Sequence, residues 1–318
     1  MRLKKILWIV LGLTALYGVY LVVSLLFLPS VEALKNRRMN MGIKVRDWKG
    51  NYHPFLVGPK NRYWTPSHSI PPEMKWAVIL AEDSRFYTHE GIDVKAIKNA
   101  IKYDLEKKSL SRGASTITQQ VAKNLFLSRE KSINRKIKEI ILAKRMEQTL
   151  TKGRIIELYL NVVELGPMVY GVGHGARYYF GKPVSSLTPR ECAFLAAMLP
   201  GPRIAYNPYR NMAKVVRRSD IILKLLKNKG ILTDSEYHLA LAAEPNISGL
   251  QKKIDETIKK EEVFANISGA VDAGSGSSGN AGGEATPAAE AQGELSPGEE
   301  VQPGNPEISP EEKQTEPK

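Results

Sequence analysis

A carboxylate behind an apolar run is the first feature of this chain that could do chemistry. The stretch AVILAEDSRFYTHEG, Ala77 to Gly91, places Glu82 and Asp83 directly after five apolar residues. Buried carboxylates are rare unless they are paired or used. On a helix, Ile79, Glu82, Phe86 and His89 fall near one stripe, at spacings of three, four and three. Glu82 then faces inward, where desolvation raises a carboxyl pKa and suits the group to accept or donate a proton. The competing reading is an N-cap, or an ion pair with Arg85.

Glu139 is the second such carboxylate. On a helix over 131–150 it shares a stripe with Leu142, Ala143 and Met146, and Arg135 four residues earlier offers an intrahelical ion pair as the alternative. Between the glutamates, Ser115, Thr116, Thr118, Gln119 and Gln120 set five hydrogen-bonding groups around Ile117. Capping by Ser115 accounts for one hydroxyl at most, and a surface helix accounts for the glutamines. Neither accounts for the whole group beside Lys123, Lys131, Arg135 and Lys136, at spacings of eight, four and one. Four such cations make a candidate diphosphate cradle, because phosphate takes charge-assisted hydrogen bonds. A solvated basic face is the alternative. The single cysteine, Cys192, lies in an apolar run and reads as a buried structural thiol.

Positioning these groups falls to helices. Pro71-Pro72 opens a helical pattern that leads into Glu82, and Val94 to Leu105 reads as another helix. Ser111 to Ser115 reads as a loop before a periodic stretch near Ile117. Lys131 to Leu150 is the longest helix, Thr151-Lys-Gly153 interrupts it, and a further helix runs to Gly166. The Gly-rich segment 166–182 reads as a loop with a short helical piece. Thr188 with Glu191, and Thr233 with Glu236, match capping boxes. Strand signals are almost absent, Val169-Tyr170 being too short to count, so the fold class is mostly α.

The chain has 318 residues and a net charge of +13. Ten acidic and two basic residues from Gly269 onward carry −8, which leaves +21 on residues 1–268. That field points to a polyanionic partner. Ile6 to Leu28 runs without a charge, about 34 Å of helix against a hydrocarbon core of about 30 Å. Such a length favours an uncleaved anchor over a signal peptide. Arg2, Lys4 and Lys5 favour a cytoplasmic N-terminus. The anchor turns the charge argument toward lipid headgroups or a phosphorylated substrate, and no nucleic acid is expected. The expected organisation is a tail at 1–5, the anchor at 6–28 and a connector at 29–61. A catalytic domain at 62–245 follows, then an extension at 246–268 and an acidic, disordered tail at 269–318.

Five segments together resemble the peptidoglycan glycosyltransferases, which polymerise cell-wall glycan and also form the first domain of bifunctional penicillin-binding proteins. They are EDSRFYTHEG at 82–91, GASTITQQVAKN at 113–124, RKIKE at 135–139, RIIELYLNVVELG at 154–166 with GVGHGARYYFGK after it, and LPGPRIAYNP at 199–208. The resemblance implies a lysozyme-like head with a small membrane-associated jaw, acting on the lipid-linked disaccharide precursor and the growing glycan chain. Glu82 matches the base that takes the proton of the acceptor 4-hydroxyl. Glu139 matches a second acidic position serving the donor diphosphate. Lys123, Lys131, Arg135 and Lys136 match basic positions near the phosphates, and Ser115, Thr116, Thr118, Gln119 and Gln120 the polar cleft wall. Asp83, Phe86, His89, Gly91 and Asn161 fall in supporting places. A divalent cation such as Mg²⁺ is implied, held mainly through the substrate diphosphate, since no independent metal-ligand cluster is visible in the sequence. The implied location is the bacterial inner membrane with the catalytic domain on its outer face, alongside cell-wall synthesis or division proteins.

Gly113-Ala114-Ser115-Thr116 departs by one methyl group from the Gly-Gly-Ser-Thr of many bifunctional members. No Ser-x-x-Lys, Ser-x-Asn and Lys-Thr-Gly series follows downstream, so the expectation is a monofunctional, biosynthetic transglycosylase. The rivals are a lysozyme-like glycan-cleaving enzyme, which also uses carboxylates in a cleft, and a non-catalytic wall-assembly scaffold. Product formed from the lipid-linked precursor, rather than from finished glycan, separates synthesis from both.

Overall fold

The computed structural model describes residues 2–47, 49–107, 115–128, 130 and 132–247. The expected tail at 269–318, most of the extension before it, and Lys131 of the expected cradle lie outside those residues. Ten α-helices and two small antiparallel sheets are present among the described residues.

Helix α1 (Arg2–Leu26) is apolar on every side beyond the cations of its first turn and is exposed over most of its length, and its segment Lys4–Leu26 is long and apolar enough to cross a membrane. Strands β1 (Met41–Arg46) and β2 (Tyr52–Val57) then pair antiparallel, Met41 opposite Val57 and Arg46 opposite Tyr52. Strand signals were not expected here. Both strands alternate between inward and outward residues, and Val45 and Val57 are the ones fully buried where the sheet docks.

Helix α2 (Pro72–Glu82) starts with Pro72 at its first turn, where a missing N–H costs nothing. It lies against α8 (Pro189–Met198) and α9 (Pro208–Asn228). Every residue of α8 from Arg190 to Met198 is buried, as a helix apolar on nearly all faces must be. Cys192 sits in it, fully buried, as a packing residue whose thiol is pushed up by burial. Capping boxes start α8 at Thr188–Glu191 and α10 (Asp234–Ala242) at Thr233–Glu236, at the spacing the sequence shows.

After α3 (Val94–Lys107), the second group comprises α4 (Ile117–Phe126), α5 (Ile133–Thr149) and α6 (Lys152–Val162), with α4 packed on both α5 and α6. The helix read as longest, α5 at 17 residues, is shorter than α9 at 21. Two boundaries differ from the sequence reading by more than two residues. α6 stops at Val162, because β3 (Glu164–Gly166) turns back to pair with β4 (Val169–Tyr170). The Gly-rich segment after it is mostly helix, α7 (Val172–Phe180), which Gly181 ends in the left-handed conformation at φ 69°.

Buried polar ties join α6 to the chain ahead of α2. Arg154 Nε donates to the Leu34 carbonyl at 2.9 Å and its Nη1 to Glu157 at 2.9 Å, while Glu157 accepts the Ser67 N–H at 3.0 Å. Asn161 accepts the Thr65 N–H at 2.7 Å and donates to the Thr65 carbonyl at 2.8 Å. Asn161 is thus a strut for the entry to α2.

Candidate active site

Glu82 is the last residue of α2, and Asp83 leaves the helix at φ −159°, ψ 68°. The single stripe expected for Glu82, Phe86 and His89 therefore does not exist. The chain breaks because the Asp83 carboxylate is engaged elsewhere. It accepts the Ile117 N–H at 3.0 Å, at the positive end of α4, and accepts from His89 Nε2 at 2.9 Å. A short 3-10 turn, Phe86–Thr88, brings His89 back to it. Phe86 is fully buried, with Lys152 Nζ 4.4 Å from its ring centre.

Gly91 closes this turn against α5. Its φ is +84°, and a Cβ there would meet the Ala143 carbonyl carbon and oxygen at 3.1 Å. Ala143 lies one turn beyond Glu139 on the same helix. G91A is expected to lower stability by about 1–3 kcal/mol through strain and displacement of α5. Urea unfolding of the two proteins checks it, and equal midpoints would refute the close approach.

Around Glu82 the ion pair expected as an alternative is absent, since Arg85 bonds Asp93 instead. Glu82 Oε2 accepts from Gln120 Nε2 at 2.9 Å, and Oε1 lies 3.7 Å from Arg218 Nη2. Tyr159, fully buried with its phenol held neutral by burial, donates to Gln120 Oε1 at 3.2 Å. That bond fixes the amide so that its NH₂ faces Glu82. Burial raises the Glu82 pKa first of all, against the Gln120 hydrogen bond and the charges of Arg218 and Lys123.

Gln120 opens onto a cavity of about 350 Å³, within the range of ligand sites. Lys44, Lys123 and Arg135, with one carboxylate, Glu164, supply its charged lining. Ile43 and Val45 of β1, Val162, Val163 and Leu199 line the apolar side. Behind Arg135, Glu139 is buried to 3% exposure with both oxygens engaged, Arg135 Nη1 at 2.9 Å and Lys136 Nζ at 2.5 Å. Lys136 also donates to Ser115 Oγ at 3.1 Å. The intrahelical pair read from the sequence is real, and it holds two cations rather than one.

The polar wall divides in two. Gln120 and Ser115 join the cleft groups. Thr116 instead caps α4, with Gln119 completing the capping box, so the cap is not Ser115. Thr116 Oγ1 also donates to the Gly91 carbonyl at 2.7 Å, and Thr118 Oγ1 donates to Glu147 at 2.5 Å. These three lie buried beneath the wall.

One group with metal-ligating side chains is present among the described residues, against the sequence reading. Asp83, His89 and Asp93 have atoms within 4.8 Å of one another. The turn at 86–88 creates that proximity. Arg85 and the Ala96 N–H occupy Asp93, and the Ile117 N–H occupies Asp83. Asp83 and His89 are bonded to each other and Asp93 to Arg85, so both carboxylates are already engaged within the protein.

Sequence reasoning missed Arg218, the β1 wall and Tyr159. Arg218 lies on α9, distant in sequence from its partner, and nothing local marks it. The β1 wall did carry a signal, the alternation of Met41, Ile43 and Val45 with Gly42, Lys44 and Arg46, which the reading of 29–61 as connector passed over. Tyr159 sat in plain view within RIIELYLNVVELG, and its helical spacing from Asn161 and Ile155 gave no sign of the Gln120 contact.

The transglycosylase family model matches residues 51–227, more than half of the chain, and the chain belongs to that family. Penicillin-binding protein 1A of Escherichia coli (strain K12) is 42% identical over 229 residues, 72% of this chain and 27% of that protein. The Vibrio cholerae serotype O1 protein of the same name is 40% identical, over 74% of this chain and 28% of its own length. That of Neisseria flavescens is 36% identical, over 80% and 33%. The chain spans about a quarter to a third of the length of these curated relatives. The resemblance to peptidoglycan glycosyltransferases read from the five motifs, and the mostly α fold expected with it, are borne out.

Proposed function

We propose that the protein polymerises the lipid-linked disaccharide-peptide precursor into β-1,4 glycan with release of polyprenyl diphosphate. The observation that carries this reading is a buried, proton-seeking carboxylate, Glu82, joined through Gln120 to a cavity lined by three cations, Lys44, Lys123 and Arg135, against one carboxylate, Glu164, that is itself paired with Arg203. A glycosyl diphosphate has a good leaving group once its charge is met. The acceptor 4-hydroxyl gives its proton to Glu82 as its oxygen bonds to the donor anomeric carbon. The bond from that carbon to the diphosphate breaks, and its electron pair leaves on the phosphate oxygen facing the cations. Attack opposite the leaving group inverts the centre, so no glycosyl-enzyme intermediate is needed.

A divalent cation belongs to this proposal as part of the substrate. Both Glu139 oxygens already bear cations and Glu164, the carboxylate lining the cavity, is paired with Arg203, so the ligands of Mg²⁺ would be mainly diphosphate oxygens. α1 anchors the enzyme, with its N-terminus cytoplasmic and the cleft on the outer face at headgroup depth. Growing glycan, the membrane and other cell-wall synthesis or division proteins are its proposed partners. Incubation with lipid-linked disaccharide and, separately, with finished glycan tests the reading. Polymer from the first supports it. Breakdown of the second, without polymer, favours the lysozyme-like rival.

K123A and removal of 1–28 act differently on this scheme. K123A takes away a phosphate contact, so polymer formation is expected to fall at least about tenfold in liposomes and micelles alike, a charge-assisted bond being worth about 1.5–3 kcal/mol. Removing the helix should cost activity on liposomes and spare most of it in micelles. A K123A enzyme restored by tighter membrane attachment would mean that Lys123 serves only a membrane-attracted face.

A further inference from the structure

We propose that Arg218, on α9, is a positioning residue that holds the Glu82 carboxylate in place and in its proton-accepting form. The inference rests on the reading of Glu82 as the base, and adds the group that lets a carboxylate so enclosed do that work. α9 packs on α2 and carries Arg218 to the C-terminal end of that helix, where the helix dipole favours positive charge. Its Nη2 lies 3.7 Å from Glu82 Oε1 and donates to the Ala81 carbonyl at 3.4 Å. The guanidinium is seated over the Tyr206 ring at 5.6 Å, and its Nε is buried without a hydrogen-bond partner. A donor so left is expensive unless its charge is used.

The other groups bearing on Glu82 do not substitute for it. Lys123 and Gln120 come from α4, and Lys123 is also a wall of the cavity where the diphosphate is proposed to sit. Its charge is divided with that anion once substrate is bound. Tyr159 from α6 is neutral and reaches Gln120. Asp83 is next in sequence and its negative charge opposes ionisation of Glu82. Arg218 meets the opposite carboxylate oxygen from the one Gln120 holds, so the two fix the plane of the carboxyl group between them. Tyr206 belongs to LPGPRIAYNP, and through this contact that motif seats the guanidinium that faces the base.

The sign of the effect is fixed. An opposite charge within about 4–6 Å favours the ionised carboxyl, so its removal leaves Glu82 protonated up to higher pH. Polymer formation from lipid-linked disaccharide in micelles is measured against pH for the parent, R218M, R218Q, R218K and E82Q, with melting temperatures alongside. The deficit of R218M or R218Q relative to the parent is expected to be about tenfold larger near pH 5.5 than near pH 8.5. R218K restores most of the acid side. If R218M and R218Q do not fold, Y206L keeps the charge, loosens its seat and produces a smaller change in the same direction. Deficits that are equal at every pH in folded variants overturn the inference and leave Arg218 a packing residue. Near-normal turnover by E82Q removes the base itself, whereas a silent E82Q with a pH-independent R218M deficit sinks only the role of Arg218.

Discussion

E82Q is expected to form glycan polymer at least about 100-fold more slowly than the parent, in the range that general bases contribute, while unfolding at the same or a slightly higher temperature. Gln keeps the size of the side chain and an oxygen for the Gln120 NH₂, but it cannot take a proton. The stability half of the result follows from linkage. Burial raises the Glu82 pKa above its ordinary value, so between the unfolded and folded values the native state binds more protons than the unfolded chain. Stability from this group is therefore greatest below the unfolded pKa and falls as pH rises through the folded one. At neutral pH the ionised group is a cost to the fold, and Gln removes it. Activity runs the other way, rising with pH as Glu82 loses its proton. A near-normal rate for E82Q would take Glu82 out of the mechanism. A large loss of stability would mean that the carboxylate is a structural partner of Arg218.

How much of this was legible in the sequence depended on range. Glu139, Leu142, Ala143 and Met146 are all buried, as their common stripe required, because α5 has one inward face and the helical period records it. The capping boxes at Thr188 and Thr233 were equally local and formed as read. The Glu82 stripe failed at Asp83, where a long-range bond to the Ile117 N–H outweighed one more turn of helix. Thr116 and Ser115 exchanged roles for a related reason. Either hydroxyl can cap, and Gln119 three residues after Thr116 decides between them. β1 alternates cleanly, with Met41, Ile43 and Val45 inward and Gly42, Lys44 and Arg46 outward, so its period-two signal was present in MGIKVR and was overlooked in a stretch read as connector. The motifs located the cleft groups, but which of them reach the cavity is a matter of side-chain direction that spacing does not encode.

E139Q separates the two carboxylates, because its expected stability change has the opposite sign. Glu139 is buried with Arg135 on one oxygen and Lys136 on the other. Gln leaves one acceptor for two cations and turns an NH₂ toward the second. Removing one partner of a fully buried pair costs about 3–5 kcal/mol. Lys136 is 41% exposed and Arg135 17%, so water compensates part of that loss, and about 1–3 kcal/mol is expected here. The catalytic loss comes through geometry. Arg135 lines the cavity, and Lys136 ties α5 to Ser115. With Glu139 neutral, the two cations repel one another and Arg135 is no longer held at the cavity wall where the diphosphate is proposed to sit. Turnover is expected to fall at least about tenfold, the loss of roughly one charge-assisted bond. The defect should appear in the donor's KM and in kcat, with the acid side of the pH profile unmoved because Glu82 keeps its own neighbours. Polymer formation across donor concentrations, with and without added Mg²⁺, reads this directly. Normal turnover at every Mg²⁺ concentration, together with the lowered melting temperature, would make Glu139 an ion-pair partner in α5 and nothing more.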